Sequence, residues 1–376
     1  MSAANRIVTS NAIITMDDDA PRVEAIAVDS RSGKIVAVGA LSDLSDAHPR
    51  AEVVDLGCDV VLPGFIDPHS HPLFSGMVCR EPTHWIAPYV GYGTYDDVTA
   101  LKIWADGSPW VGNIAATYRY LDNETVHAAG IPVGPTRESA LNYTPAELDD
   151  LLDSFSDDDW QFAVHVNGDY ALDVVLDSYQ RELTRCALLG TDHRWRVKHV
   201  GGARKEQFER AAKLGVAVSM APFQFLYWGD VLDGTLFPHR IGSQWQRFAG
   251  AVDAGASVSF HNDGSVSPPI PLRNIQAAVT RHTFSGEEHG PEQRMSLDDA
   301  LRAHTVVAAQ HIRRPDLGSI THEARSLALC RFGRRDARRV DHRIAHPAVR
   351  RVARRDARVV TCRPDRPARV GVIRNL

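Results

Sequence analysis

A chain of 376 residues with 44% hydrophobic content is long enough for one large α/β domain and a small accessory module, and no apolar run approaches the 18 residues of a membrane span. Five scattered cysteines, never spaced C-x-x-C, read as reduced thiols of a cytoplasmic protein, which excludes a disulfide framework and a zinc knuckle. The net charge of -5 divides unevenly: residues 322–376 hold 16 Arg against 5 Asp and Glu, a balance of +11, which leaves −16 for residues 1–321.

The N-terminus, Met1-Ser-Ala-Ala-Asn-Arg6, lacks the basic stretch and apolar core of a secretion signal. Residues 1–60 alternate short β-rich runs with turn signals at 17–21 and 30–33, which predicts a small antiparallel, β-sandwich-like module. An apolar run from Val61 ends in His69-x-His71. Read as a strand, this run puts both imidazoles on one side, because side chains two apart share a face. The bland reading is two surface histidines in a Pro-containing loop.

After an irregular stretch, 72–97, the chain settles into alternation. Strands are predicted near 99–105, 161–165, 196–199, 216–220 and 257–261. Helices are predicted near 144–155, 170–188, 205–214, 243–254 and 296–309. The first of these opens on Thr144-Pro-Ala-Glu147, a capping hydroxyl with Pro in the first turn and Glu three residues on. Strand–helix–strand repetition predicts a parallel sheet of βαβ units, a TIM-type (β/α) barrel over 61–317 with its chemistry at the C-terminal strand ends. Only six barrel strands are legible, near 62, 100, 162, 197, 217 and 258, where eight close a barrel. The 27 residues between His71 and Thr99 are fewer than the roughly 30 of one βαβ unit. The barrel is therefore expected to be incomplete, with the open wall covered by residues 72–98 or by a partner chain in a homo-oligomer.

The strand ends carry His69, His71, Lys102, His165, His199 and Asp263. Each alone has a dull explanation: a hydrogen-bonded core histidine, a snorkelling lysine, a turn carboxylate. Together, four imidazoles and a carboxylate at one barrel mouth suit one or two Zn2+ ions. Asp106 and Asp169 each lie four residues past a proposed ligand, as orienting carboxylates or as loop structure. Trp104, Trp110, Tyr227 and Trp228 are candidates for an apolar substrate pocket, with barrel–helix packing as the alternative.

The chain resembles the amidohydrolase superfamily of metal-dependent hydrolases, within it the branch containing N-substituted formamide deformylase. The resemblance rests on Leu62-Pro-Gly-Phe-Ile-Asp-Pro-His-Ser-His71, Lys102-Ile-Trp-Ala-Asp-Gly-Ser108, His165-Val-Asn-Gly-Asp169, Lys198-His199 and Asn262-Asp263-Gly-Ser-Val-Ser-Pro-Pro269. It implies a binuclear site, with His69 and His71 on one metal and His165 and His199 on the other. A carbamate of Lys102 would bridge the two, and Asp263 would bind the first metal and shuttle protons. The implied reaction is hydrolysis of a C–N bond in a small amide, an N-substituted formamide among the candidates.

Two readings of other classes stand beside it: a truncated, inactive relative, and a binding protein that uses a basic tail on a barrel scaffold. The resemblance ends near Gly318, and residues 318–376 follow as an Arg-rich tail whose composition resembles GC-rich codons read in a shifted frame. Nucleic-acid binding by that tail is the weaker expectation, because it lacks an aromatic platform and any recognisable module.

Overall fold

The computed structural model describes residues 4–71, 100–157, 160–264, 266–321, 324 and 329–332. Two units result: Met1–Ile66 with His304–Gln310 and Arg314–Leu376, and Asp67–Ala303 with His311–Arg313.

In the first unit, strands β1 (Arg6–Ile14), β2 (Arg22–Asp29), β3 (Lys34–Gly39), β4 (Glu52–Asp55) and β5 (Val60–Pro63) form a sheet with Leu329–Phe332. Adjacent residues of β1 feed opposite faces. Val8 packs with Ile26, Val28 and Val61, while Ile7 packs with Ala25, Ala27 and Leu44 of the helix Leu41–Ala47. This is the period-two pattern that makes a strand legible. The expected antiparallel module is instead mixed, since β1 runs parallel to both β4 and β5. Among the described residues one face is covered by a helix, and no second sheet opposes it. The run near residue 62, read as the first barrel strand, belongs to this sheet, because Val61 buries its side chain in the first unit's core. Cys58 is disulfide-bonded, which corrects the reading of all five cysteines as thiols; Cys186 is free.

The second unit carries five parallel strands: β6 (Ala100–Trp104), β7 (Gln161–Val166), β8 (Arg196–His199), β9 (Ala217–Met220) and β10 (Val258–Phe260). They pair in chain order from β6 to β10. The last three are buried along their whole length, as expected for parallel strands covered on both faces. Crossover helices include Asp169–Arg185 and Lys205–Leu214. The predicted capping box opens Pro145–Ser156, with the Thr144 hydroxyl accepting from Glu147 N and the Glu147 carboxylate accepting from Thr144 N. The described part of the barrel is thus five strands rather than six, and a closing pair between β6 and β10 is not among the described residues. Beyond β10 a single parallel bridge joins Gly264 to Ser70.

Besides the short helices Leu41–Ala47, Glu124–Ala128 and His239–Gly242, two longer helices among the described residues escape the sequence pattern. Pro222–Leu232 is buried at most of its positions, with only Trp228 and Asp230 exposed, so it gives little of the 3.6-residue contrast. Pro271–Thr280 likewise begins on a proline after an irregular stretch. The helix expected over 243–254 shrinks to Phe248–Asp253, because Gln246 takes a left-handed φ of 57° just before it. Residues 72–98 and the arginine-rich run 333–376 lie outside the described residues. No helix among the described residues is long and apolar enough to cross a membrane.

Candidate metal centre

The centre lies within the second unit and is assembled from residues on or just after β6, β8 and β10 plus the segment 67–71. That segment lies outside the strands, and apart from the bridge of Ser70 to Gly264 it is held by side-chain and isolated backbone contacts. The Asp67 carboxylate accepts from His69 N at 3.1 Å and from Asn262 N and Nδ2 at 3.2 Å each. Lys198 Nζ donates to Pro68 O at 3.1 Å, and His71 N donates to Gly264 O at 2.5 Å. Residues almost 200 positions apart are thereby held side by side, with Asn274 Nδ2 bracing Asn262 Oδ1 at 2.9 Å.

Two groups of donor atoms converge. His69, His71 and Asp263 form one; His69, His199 and His261 form the other. Asp263 Oδ1 lies 3.0 Å from Nε2 of both His69 and His71. His261 Nε2 lies 3.2 Å from His199 Nδ1, and Lys102 Nζ lies 3.1 Å from His69 Nε2. The His199 Nε2 atom is buried without a hydrogen-bond partner, and an imidazole nitrogen in that state is a lone pair or N–H whose partner lies outside the protein. Four imidazoles, those of His199 and His261 buried, with a carboxylate and an amine are the N and O donors a zinc-like divalent ion takes. These residues fit such an ion.

Backbone geometry at the site is strained. His199, Val200 and Asp263 have φ of 71°, 48° and 51°, in the left-handed region that costs a non-glycine residue, and a β-branched valine most of all. The strain is held by neighbours: Gln246 Nε2 donates to His199 O at 3.0 Å, and Val200 N donates to Val166 O at 2.8 Å.

Electrostatics favour metal ligation. Burial lowers the titration of His69, His199 and His261 far below the ordinary histidine value, so their nitrogens are neutral donors near pH 7. Burial likewise lowers Lys102 to about 7 and raises Asp67 to about 6. For Asp263, burial pulls upward, but the hydrogen bond with His71, and the positive charge that His199, His261 and Lys102 carry at the low pH where a carboxyl titrates, outweigh it, and the carboxyl stays below its usual range.

His165, proposed as a ligand, is in neither group. Its Nε2 donates to Gly107 O at 3.0 Å, although its ring centroid is 4.3 Å from that of His199. His261 takes the place expected of it. The strand-end rule that selects His165 and His199 also selects His261, but its setting in His261-Asn-Asp-Gly264 reads as a turn. Lys198 and Ser219 are further additions. Lys198 Nζ reaches Ser219 Oγ at 3.3 Å, and Ser219 Oγ lies 3.1 Å from His261 Nδ1. No local pattern marks Ser219, which is one small residue inside a buried strand.

Asp106 accepts from the backbone N of Ala115, Asn167 and Gly168 at 3.1, 2.8 and 2.7 Å. Burial raises it to about 7, against the pull of those three donors. Its contacts shape the loop after β7, where Gly168 is required because a Cβ there would meet Ala115 O at 1.9 Å. Asp106→Asn would turn an NH2 toward one of those N–H donors. The expected loss of folding stability is about 2–3 kcal/mol, read as the urea midpoint times an unchanged slope; an unaltered midpoint would reject the role. Asp169 binds Thr117 N at 2.7 Å and the Arg204 guanidinium, neither of which is a proposed ligand. Among the aromatic candidates, Trp110 stacks on Trp228 with centroids 4.9 Å apart. Trp104 is exposed beside Lys102, and Tyr227 Oη accepts from Arg273.

Comparison with known proteins agrees with this geometry. N-substituted formamide deformylase of Arthrobacter pascens is 28% identical over 171 residues, 46% of this chain and 31% of that protein. Putative amidohydrolase YtcJ of Bacillus subtilis (strain 168) is 26% identical over 230 residues, 59% of this chain and 38% of that one. The chain thus matches about a third of the length of these curated relatives. Among solved structures, an uncharacterized metal-dependent hydrolase from Pyrococcus furiosus aligns with a TM-score of 0.64 at 15% identity, over 85% of this chain and 97% of that one. Atrazine chlorohydrolase TrzN from Arthrobacter aurescens TC1, complexed with zinc, aligns with a TM-score of 0.52 at 18% identity over 90% of each chain. These two likenesses show the fold. A family model described as "Amidohydrolase family" matches residues 85–325, more than half of the chain, and the chain therefore belongs to the amidohydrolase family.

Proposed function

We propose that this protein is a metal-dependent hydrolase of an amide-type C–N bond in a small molecule, with an N-substituted formamide as the leading candidate. The observation that carries the reading is the meeting of His69, His71 and Asp263 within one donor cluster, beside Lys102. In this reading His69, His71 and Asp263 hold one ion. His199 and His261 offer a second position that Lys102 completes as its carbamate. A free ammonium cannot ligate a cation, whereas a carbamate offers two anionic oxygens. When bound, a divalent ion lowers the pKa of water and polarises a carbonyl.

The protein's own part is positional and proton-moving. Asp67 and Lys198 fix the 67–71 segment, so the two imidazoles arrive without further ordering. Asp263 accepts a proton from the attacking water at its carboxylate and returns it to the departing amine nitrogen. The stacked pair Trp110 and Trp228 offers an apolar wall for an N-substituent. The amide specificity of the relative from Arthrobacter pascens supports the choice of substrate.

Metal analysis of purified protein, paired with an amide-hydrolysis screen on the same sample, tests the proposal. The expected result is bound zinc or another divalent ion, and formate release from N-substituted formamides that a chelator abolishes and added metal restores. Bound metal with no turnover on any amide would favour an inactive relative. Protein that purifies and stays metal-free after incubation with zinc would overturn the reading.

A further inference from the structure

Apart from the donor clusters, the second unit holds a cavity of about 170 Å3 whose wall includes Tyr118, Asp169, Gly202, Arg204, Arg240 and Arg247. Such a volume, below the 300–1,000 Å3 of pockets for drug-sized ligands, accepts a single headgroup. Its wall is cationic. Asp169 is already matched by Arg204, which also pairs with Asp173 at 2.7 Å. Arg247 hydrogen-bonds only neutral acceptors, Ala203 O at 3.1 Å and Gln244 Oε1 at 2.8 Å, while the carboxylates of Glu206 and Glu292 act on it from farther away. The Arg240 guanidinium has no hydrogen-bond or ion-pair partner among the described residues. In the same wall the Tyr118 hydroxyl is buried with no hydrogen-bond partner. Gly202 keeps the space beside it open, since a Cβ there would fall 1.7 Å from Tyr118 Oη.

We propose that this cavity is a binding site for a small oxyanion, a carboxylate or phosphate group, gripped by Arg240 and Arg247. Two guanidiniums that no carboxylate pairs with directly present forked donors that match the paired oxygens of such a group. The position suggests what the anion belongs to. Asp169 lies four residues past His165, and Gly202 three past His199, so both wall residues lie just beyond the C-terminal ends of β7 and β8, the second of which carries a residue of the metal centre. Resting on the hydrolase reading, the anion is the acidic group of the substrate itself, and the preferred amides carry a carboxylate. A free anion bound beside the centre is the other source of the same chemistry.

Calorimetric titration of the full chain with inorganic phosphate, at constant ionic strength in a chloride background, tests the site without any need for activity. Saturable binding is expected, weakened at least about 10-fold in Arg240→Ala, the factor for loss of one charge-assisted contact. Arg240→Lys, which keeps the charge but loses the fork, should fall between. Arg240 is exposed, so the variants are expected to fold, and circular dichroism checks this. No saturable phosphate binding by the parent, or binding unchanged in Arg240→Ala, would overturn the proposal. A second arm compares two amides that differ only in a terminal carboxylate or carboxamide. A lower KM for the acid, lost in Arg240→Ala, assigns the site to substrate; phosphate binding with equal KM values assigns it to a free anion. If no amide is turned over, the hydrolase reading fails, while the phosphate titration still decides the site.

Discussion

Asp263→Asn is expected to lower kcat for amide hydrolysis by about 10^3-fold, in the middle of the range for loss of a positioned general base. The substitution preserves shape and leaves one oxygen near Nε2 of His69 and His71, so part of the metal affinity should survive. What it removes is the ability to take a proton. In the parent the carboxyl stays below its usual range despite burial, so it is ionised and able to accept a proton across the working pH range. Metal content and kcat measured on one preparation separate the two roles. Turnover within a few-fold of the parent at equal metal content would end the proton-transfer assignment.

Lys102→Ala is expected to lose about one metal equivalent and nearly all hydrolysis. The Nζ atom lies 3.1 Å from His69 Nε2, inside the donor cluster. An ordinary lysine, with a pKa near 10.4, is under about 1% neutral at pH 8. Burial lowers Lys102 to about 7, so at pH 8 most of it is the free amine that carbon dioxide requires. Carbamate formation, followed by the carbonyl signal from 13C-bicarbonate, should therefore rise as pH increases through 7 and be absent in the alanine variant. An unchanged metal-to-protein ratio in Lys102→Ala would remove the bridging role.

Much of this centre could be read from the chain because each strand carries its message locally. His199 closes the short strand Arg196–His199, and His71 lies two residues after His69; both are visible within a few residues of sequence. The capping hydroxyl of Thr144 and the amphipathic stripe of Lys205–Leu214 are local in the same sense. Where the reading failed, the deciding partner was remote. Val60–Pro63 is as apolar as a barrel strand, and only its pairing with β1 places it in the other unit. Pro222–Leu232 hides its helical period because its first five residues are all buried, polar Gln224 included.

The sequence by itself determined the family, the order of parallel strands from β6 to β10, and the residue types at their C-terminal ends. Tertiary structure alone decided which of those residues converge: His261 enters the donor cluster and His165 turns to Gly107 O. The left-handed turns at His199 and Asp263 belong to the same class of fact. Periodicity reports which face a side chain occupies. The direction of a ring at a strand end is set by contacts such as Asp67 with Asn262, and these exist only once distant segments have packed.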